Sequence, residues 1–385
     1  MAFSHLADNL EILEAQGLYR SRRVIASPQG INLQIDGRKA VNFCSNDYLG
    51  LANHPDVVGA FKAAADHYGV GSGSAHLICG HSSAHHALED ELAEFTGRDR
   101  ALLFSTGYMA NMGVIAALVG RNDTVFQDRL NHASLLDGAL LSGARFKRYA
   151  HADTAHLDSM ITKATAKKLI VTDGVFSMDG DFAPLPTLAL AAKTHNAWLM
   201  VDDAHGLGVI GQRGGGVLEH YGLTQTDVPI LMGTLGKGFG TFGAFVAGSD
   251  SLIETLIQKA RTYIYTTAFP AAIAEATRAS LKLLIAEQWR RDKLNHLSER
   301  FKVGAGQLGL PLVASVSVIH PLIIGDSETA VTMSDALFEQ GFLVSAIRPP
   351  TVPQGSARLR VTLSALHEEQ HIDRLLDALD NIYTS

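Results

Sequence analysis

The stretch Ala197-Trp198-Leu199-Met200-Val201-Asp202-Asp203-Ala204-His205-Gly206 decides how the rest of the chain is read. Residues 197–201 are an unbroken apolar run, and the polar residues begin abruptly at Asp202. Continuous apolar runs, rather than alternating ones, suit strands covered on both faces, as in a parallel sheet. An acid directly after such a strand is costly unless a fixed cation or donor meets it. The pattern therefore predicts both a buried strand and a functional edge.

Working outward, the same pattern recurs. Strands are expected at 101–104, 123–127, 168–172, 230–233 and 244–247, with helix-like stretches at 109–119, 132–141, 154–164 and 186–196. Strand and helix in alternation imply an α/β fold with a mostly parallel central sheet flanked by helices. The last third differs: 271–308 reads as helix broken near Gln288, followed by strands at 316–324, 342–347 and 358–361 and helices at 330–340 and 368–383. We expect an N-terminal helix and hairpin over 1–50, a large domain over 51–285 and a smaller α+β domain over 286–385.

Composition narrows the functional classes. The 385 residues are 46% apolar, and 32 basic against 39 acidic side chains give a net charge of −7. That balance argues against a general binder of nucleic acid or of an anionic membrane. Cys44 and Cys79 lack C-x-x-C spacing and read as reduced thiols, not zinc ligands. Met1–Asp8 shows no basic segment leading into an apolar core, and no apolar run approaches the roughly 20 residues that span a bilayer. A cytoplasmic protein is expected.

In open α/β sheets ligands sit beyond the carboxyl ends of the strands. Five expected strands end in polar or glycine-rich segments: Ser105-Thr106-Gly107-Tyr108, Asp128-Arg129-Leu130-Asn131-His132, Asp173-Gly174-Val175-Phe176-Ser177, Asp202 to Gly206, and Thr234-Leu235-Gly236-Lys237-Gly238. Asp202 and His205 suit a protonated pyridine ring, a divalent metal, or simply the cap of a turn. Lys237, between two glycines, has little reason to be there for solubility. Burial would disfavour its ammonium and free the amine for a Schiff base. A P-loop is excluded, because its spacing and its Ser/Thr after the lysine are missing; an ordinary loop lysine is the other reading. Ser105 to Tyr108 could cradle a phosphate at a helix start or only cap that helix. His132 could lie flat on an aromatic ring or merely begin a helix.

The order and spacing of these segments resemble the fold-type-I pyridoxal-phosphate enzymes, and more narrowly the α-oxoamine synthases. The likeness runs from Asn42-Phe43-Cys44-Ser45-Asn46-Asp47-Tyr48-Leu49-Gly50-Leu51 to Arg358-Leu359-Arg360-Val361-Thr362. Two segments, Gly174 to Asp181 and Ala346-Ile347-Arg348-Pro349-Pro350-Thr351-Val352-Pro353, are most similar to the branch serving biotin biosynthesis. The resemblance implies a pyridoxal 5'-phosphate-dependent acyltransferase acting on L-alanine and a pimeloyl thioester, carried by coenzyme A or an acyl carrier protein. It also implies a homodimer with active sites at the interface, and no metal. Lys237 would carry the Schiff base and then act as base. Asp202 would pair with the ring nitrogen, His205 with the ring oxygen, and His132 would stack on the ring. Gly107, Tyr108, Ser177 and Thr234 would contact the cofactor, and Thr267 the partner's phosphate. Asn46, Arg348 and Arg360 would hold substrate carboxylate, with Arg20 and Thr351 near the acyl chain.

This chain has Ser74-Ala75-His76 where many family members have Gly-Ser-Arg. His76, His81, His85 and His86 are read as loop and helix-surface residues rather than a metal site. Arg20, Arg22 and Arg23 could dock an acidic carrier or be a solvated face. Rival readings are a sister synthase using glycine, a metal hydrolase built on Asp202, Asp203 and His205, and an inactive subunit; the last should lack Lys237 or the Asp–His pair.

Overall fold

In the computed structural model, which describes residue 3 and residues 5–384, a seven-stranded sheet organises the larger part of the chain. Its strands are β1 (Arg100–Phe104), β2 (Thr124–Asp128), β3 (Arg145–Tyr149), β4 (Lys168–Asp173), β5 (Trp198–Asp202), β6 (Ile230–Thr234) and β7 (Ala244–Gly248). Across the sheet they run β1-β7-β6-β5-β4-β2-β3. β7 pairs antiparallel with both β1 and β6, and the other neighbouring pairs are parallel. Met1, Ala2 and Ser4 of the opening stretch lie outside the described residues. Among the described residues no helix is long and apolar enough to cross a membrane.

The apolar runs form strands because both faces are covered. On one face Leu102, Val125, Leu169, Met200, Ile230 and Val246 meet Ala110, Val114 and Ile115 of helix Gly107–Leu118, Leu135 of helix Ala133–Ser142 and Leu252 of helix Asp250–Lys259. Each fully buried side chain of this size contributes roughly 1.5–3 kcal/mol. β3 was not expected from the sequence. Its Arg-Phe-Lys-Arg-Tyr carries charge at 145, 147 and 148, which an edge strand bonded on one side only accommodates.

Register decides function here. Asp173 pairs with Asp202 across β4 and β5, and Asp202 with Met232 across β5 and β6, so the polar strand ends stand in one row. Residues 51–177 and 181–291 make up this unit.

A second unit contains residues 1–50, 178–180 and 292–385. Strands Asn32–Ile35 and Arg38–Asn42 form a hairpin whose turn residues Asp36 and Gly37 both have positive φ, 49° and 81°. That geometry is the two-residue turn matching strand twist, and Asp-Gly is its favoured sequence. Phe342–Leu343 adds to Arg38–Asn42, whereas Ser345–Ile347 joins Ile319–Gly325 and Ala357–Thr362 in another sheet. The single expected strand over 342–347 is thus split at Val344, whose two flanks pair with different partners.

The histidine-rich stretch also departs from expectation. His85 is fully buried, accepting from Ser82 N (3.1 Å) on Nδ1 and donating from Nε2 to Phe269 O (2.7 Å). It occupies the place that Glu or Gln usually takes three residues into a helix, bonding back to the cap. His76 is buried too, stacked on Tyr263 with ring centroids 4.9 Å apart. Burial, then the nearby His85 and His81, lower the His76 pKa to about 3.

Candidate active site

A cavity of about 190 Å³ lies at the carboxyl ends of the strands. It is lined by Gly107, Tyr108, His132, Ser177, Asp202, His205, Thr234 and Lys237, together with Asn111, Ser134, Asp173, Ala204 and Met232. The first eight are residues the sequence singles out, brought together from five loops.

Lys237 stands with its Nζ 2.6 Å from His205 Nε2. Of its two flanking glycines only Gly238 is demanded by space: a Cβ there would lie 2.5 Å from Leu207 O, whereas one on Gly236 would make only ordinary contact, 3.7 Å from Thr241 O. The close approach that the sequence suggested therefore belongs to one side of the lysine.

Asp202 is buried, and each carboxylate oxygen is satisfied. Oδ1 accepts from Ala204 N (3.0 Å) and Oδ2 from the Asn111 side-chain amide (2.7 Å). A carboxylate only accepts, so the Asn111 nitrogen must face it. The same Asn111 nitrogen reaches Ser134 Oγ at 2.8 Å, and Ser134 Oγ lies 2.7 Å from His132 Nδ1. Ser134 N also points at His132 Nδ1, at 3.3 Å. A backbone N–H can only donate, so Nδ1 is an acceptor and the His132 proton sits on Nε2. Desolvation lowers the His132 pKa against the opposing pull of Asp202, which keeps the ring neutral. A buried chain Asp202–Asn111–Ser134–His132 thus fixes one tautomer. Asn111 and Ser134 escaped the sequence reading; the available signal was an asparagine inside the apolar helix Gly107–Leu118.

The two other acids play different parts. Asp173 Oδ2 accepts from His132 N (2.8 Å), and burial followed by the charge of Asp202 pushes the Asp173 carboxyl well above the usual range. Asp203 is fully buried and caps Val217 N (2.8 Å). A Cβ on Gly216, whose φ is +80°, would overlap its carboxylate. Asp203 therefore serves a turn and is not among the cavity-lining residues, which removes one leg of the metal-hydrolase reading.

The donor set fits pyridoxal phosphate. The first N–H groups of helix Gly107–Leu118 precede any intrahelical acceptor and suit a phosphate. Thr106 caps that helix at Met109 N (3.2 Å) and holds the start in place. Asp202 offers an anion for a pyridinium, His205 a polar ring for a phenolic oxygen, and Lys237 an amine. Ser177 and Thr234 add hydroxyls, the latter donating to Gly243 O (3.1 Å). Thr267 is exposed, in an isolated antiparallel bridge with Ala75.

The five expected substrate residues lie in the other unit, in two groups. Tyr48 donates to Asn46 Oδ1 (3.2 Å) and also bonds Arg360, so Asn46, Tyr48 and Arg360 are linked. Arg348 donates to Gly17 O and Tyr19 O, Arg20 donates to Pro349 O (3.4 Å), and Thr351 N donates to Arg348 O (3.1 Å). Burial, then the charge of Arg20, lowers the Arg348 pKa.

Comparison with known proteins fixes the class. The family described as aminotransferase class I and II matches residues 38–379, and the chain belongs to it. It is 63% identical to the 8-amino-7-oxononanoate synthase of Methylococcus capsulatus over 374 residues, 97% of each chain. It is 61% identical to the enzyme of that name from Pseudomonas putida over 383 residues, 100% of this chain and 98% of the relative. Among solved structures, Sphingomonas wittichii serine palmitoyltransferase superposes with a TM-score of 0.93 at 34% identity, covering 99% of this chain and 97% of that one. The 8-amino-7-oxononanoate synthase of Francisella tularensis gives 0.79 at 32%, covering 90% and 98%. The fold is that of the fold-type-I pyridoxal-phosphate enzymes, as the sequence led us to expect.

Proposed function

We propose that this chain condenses L-alanine with a pimeloyl thioester, releasing carbon dioxide and free thiol and giving 8-amino-7-oxononanoate, with pyridoxal phosphate held on Lys237. The observation that carries the reading is the meeting of Lys237, Asp202 and His205 in one cavity at the strand ends. Identity above 60% to synthases of that name over nearly the whole chain supports the choice of reaction.

When bound, pyridoxal phosphate supplies an electron sink that lets an amino acid lose its α-proton. Asp202, oriented by Asn111 and Ala204 N, holds the ring nitrogen protonated by charge pairing. Lys237 Nζ would be the covalent anchor for the cofactor, and its amine would be the base for the alanine Cα proton. His205, whose Nε2 lies 2.6 Å from Lys237 Nζ, would meet the ring oxygen. His132 presents Nε2–H to the cavity, so it donates a hydrogen bond and does not act as the base. Gly107 and Tyr108 would hold the phosphate through backbone N–H groups, and Ser177 and Thr234 would contact the cofactor through their hydroxyls. Arg360 and Asn46, joined through Tyr48, are read as holding the alanine carboxylate, which sets the Cα–H direction. Arg348 is likewise read as holding substrate carboxylate, with Arg20 and Thr351 near the acyl chain.

The working form is read as a cytoplasmic homodimer in which Thr267 reaches the partner's phosphate. Mass-spectrometric product analysis tests the proposal, with alanine, glycine and serine each offered with pimeloyl and palmitoyl thioesters. Alanine with the pimeloyl donor should dominate; preference for serine and palmitoyl would overturn it in favour of the palmitoyltransferase activity. Parallel assays with coenzyme A and acyl-carrier-protein donors decide the carrier.

A further inference from the structure

Outside that cavity the histidine-rich segment holds a second constellation. His81 precedes helix Ser83–Thr96, and His86 and Glu89 are one turn apart on it. A ligand atom from each of His81, His86 and Glu89 lies within 4.8 Å of the others, and His81 Nε2 is 3.9 Å from Glu89 Oε2. Among the described residues this is the group of three or more His, Cys, Asp or Glu side chains so arranged.

We propose that His81, His86 and Glu89 form a binding site for a divalent transition-metal ion of the zinc type, separate from the cofactor cavity. Three features distinguish the set from a chance surface cluster. The first is support of the ligands. His81 is held by its other ring nitrogen, Nδ1, 2.9 Å from His76 Nδ1, while Glu89 Oε1 accepts from Leu103 N (2.9 Å). Each is thus oriented through the atom that would not face the ion, as outer-shell partners orient metal ligands. The second is selection among the histidines. His85 uses both ring nitrogens on Ser82 N and Phe269 O, and His76 is stacked on Tyr263 with its Nδ1 turned to His81, which leaves His81 and His86 with Glu89. The third is access and adjustment. The His86 side chain is 71% exposed, so it can swing inward, while those of His81 and Glu89 are 27% and 12% exposed and give a fixed base.

Ligand atoms around a tetrahedral zinc stand about 3.3 Å apart, from bonds of about 2.0–2.1 Å. Closing the set from separations of up to 4.8 Å requires at most about 1.5 Å of approach, within reach of the exposed His86. Two imidazoles and a carboxylate are a zinc ligand set, with the fourth position left to water, and they suit nickel or cobalt less selectively. The ion would pin the start of helix Ser83–Thr96 to the preceding turn, His76–Gly80.

The test is isothermal titration of the chelator-treated holoenzyme with zinc chloride, repeated with cobalt(II) and followed by visible absorption. Wild-type protein should bind one ion per chain with a tetrahedral cobalt spectrum. His86→Ala and Glu89→Gln should each weaken binding by more than the roughly tenfold expected for an outer-shell change, and His67→Ala, an exposed histidine elsewhere, should leave it intact. Because His86 is on the surface, its variant should retain fold and cofactor absorbance. Absence of one-to-one binding in wild type, or unchanged affinity in both ligand variants, would overturn the proposal.

Discussion

Ser134→Ala removes the central link of the chain between Asp202 and His132. In the native protein one Asn111 amide hydrogen goes to Asp202 and the other to Ser134 Oγ, whose own hydrogen goes to His132 Nδ1. Without the hydroxyl, a buried amide hydrogen has no acceptor, at a cost of about 1–3 kcal/mol, and a neutral hydrogen bond worth about 0.5–1.5 kcal/mol is lost. Together the substitution should destabilise the cofactor-free protein by about 1.5–4.5 kcal/mol, although it deletes a single oxygen. His132 Nδ1 then retains only the 3.3 Å bond from the backbone N–H of residue 134, so the Nε2–H tautomer is kept but held by one long hydrogen bond in place of two. Urea unfolding gives the first quantity. Nitrogen-15 spectra of histidine-labelled protein, assigned with His132→Gln, give the second: Nε2–H in both proteins, with the Nδ1 resonance shifted in the variant by loss of the hydroxyl's hydrogen bond. An unshifted unfolding midpoint together with an unchanged His132 spectrum would refute the reasoning.

Asp202→Asn removes the charge and also turns an NH2 toward the Asn111 NH2; turnover should fall by about three to four orders of magnitude, or about 4–6 kcal/mol, and an unaltered rate would make Asp202 structural. Arg360→Ala should raise the KM for alanine far more than that for the thioester, and an unaltered alanine saturation curve would remove Arg360 from the carboxylate site. His151 bridges Asp128 (3.0 Å) and Asp181 (2.8 Å); burial alone would lower its pKa, but those bonds outweigh it and raise it to about 10. A raised folded pKa gives stability that is complete below the unfolded value of about 6.5 and is lost as pH rises toward 10, by at most about 1.4 kcal/mol per unit. Unfolding free energy measured from pH 6.5 to 10 should therefore decline more steeply in wild type than in His151→Gln; parallel slopes would show the bridge to be uncharged.

The legible parts of the site were those where chemistry conflicts with local structure. Asp202 ends an apolar run, and Lys237 sits between glycines, so both needed an explanation beyond folding. Asn111 and Ser134 were hidden because each is an unremarkable helix residue until the partner helix brings them within 2.8 Å. β3 was hidden for the opposite reason, since an edge strand needs no apolar run and its charged residues mimic a loop. His76 and His85 were misplaced because a histidine's exposure depends on which nitrogen finds a partner; for His85 that partner is Phe269 O, 184 residues away. The run of polar strand ends was visible in order, whereas the register that aligns Asp173 with Asp202 required the sheet itself.

The most direct test is chemical. Protein reconstituted with pyridoxal phosphate, reduced with borohydride, digested and mapped by mass spectrometry should carry the pyridoxyl group on Lys237 alone. Attachment to another lysine, or none at all, would contradict the account.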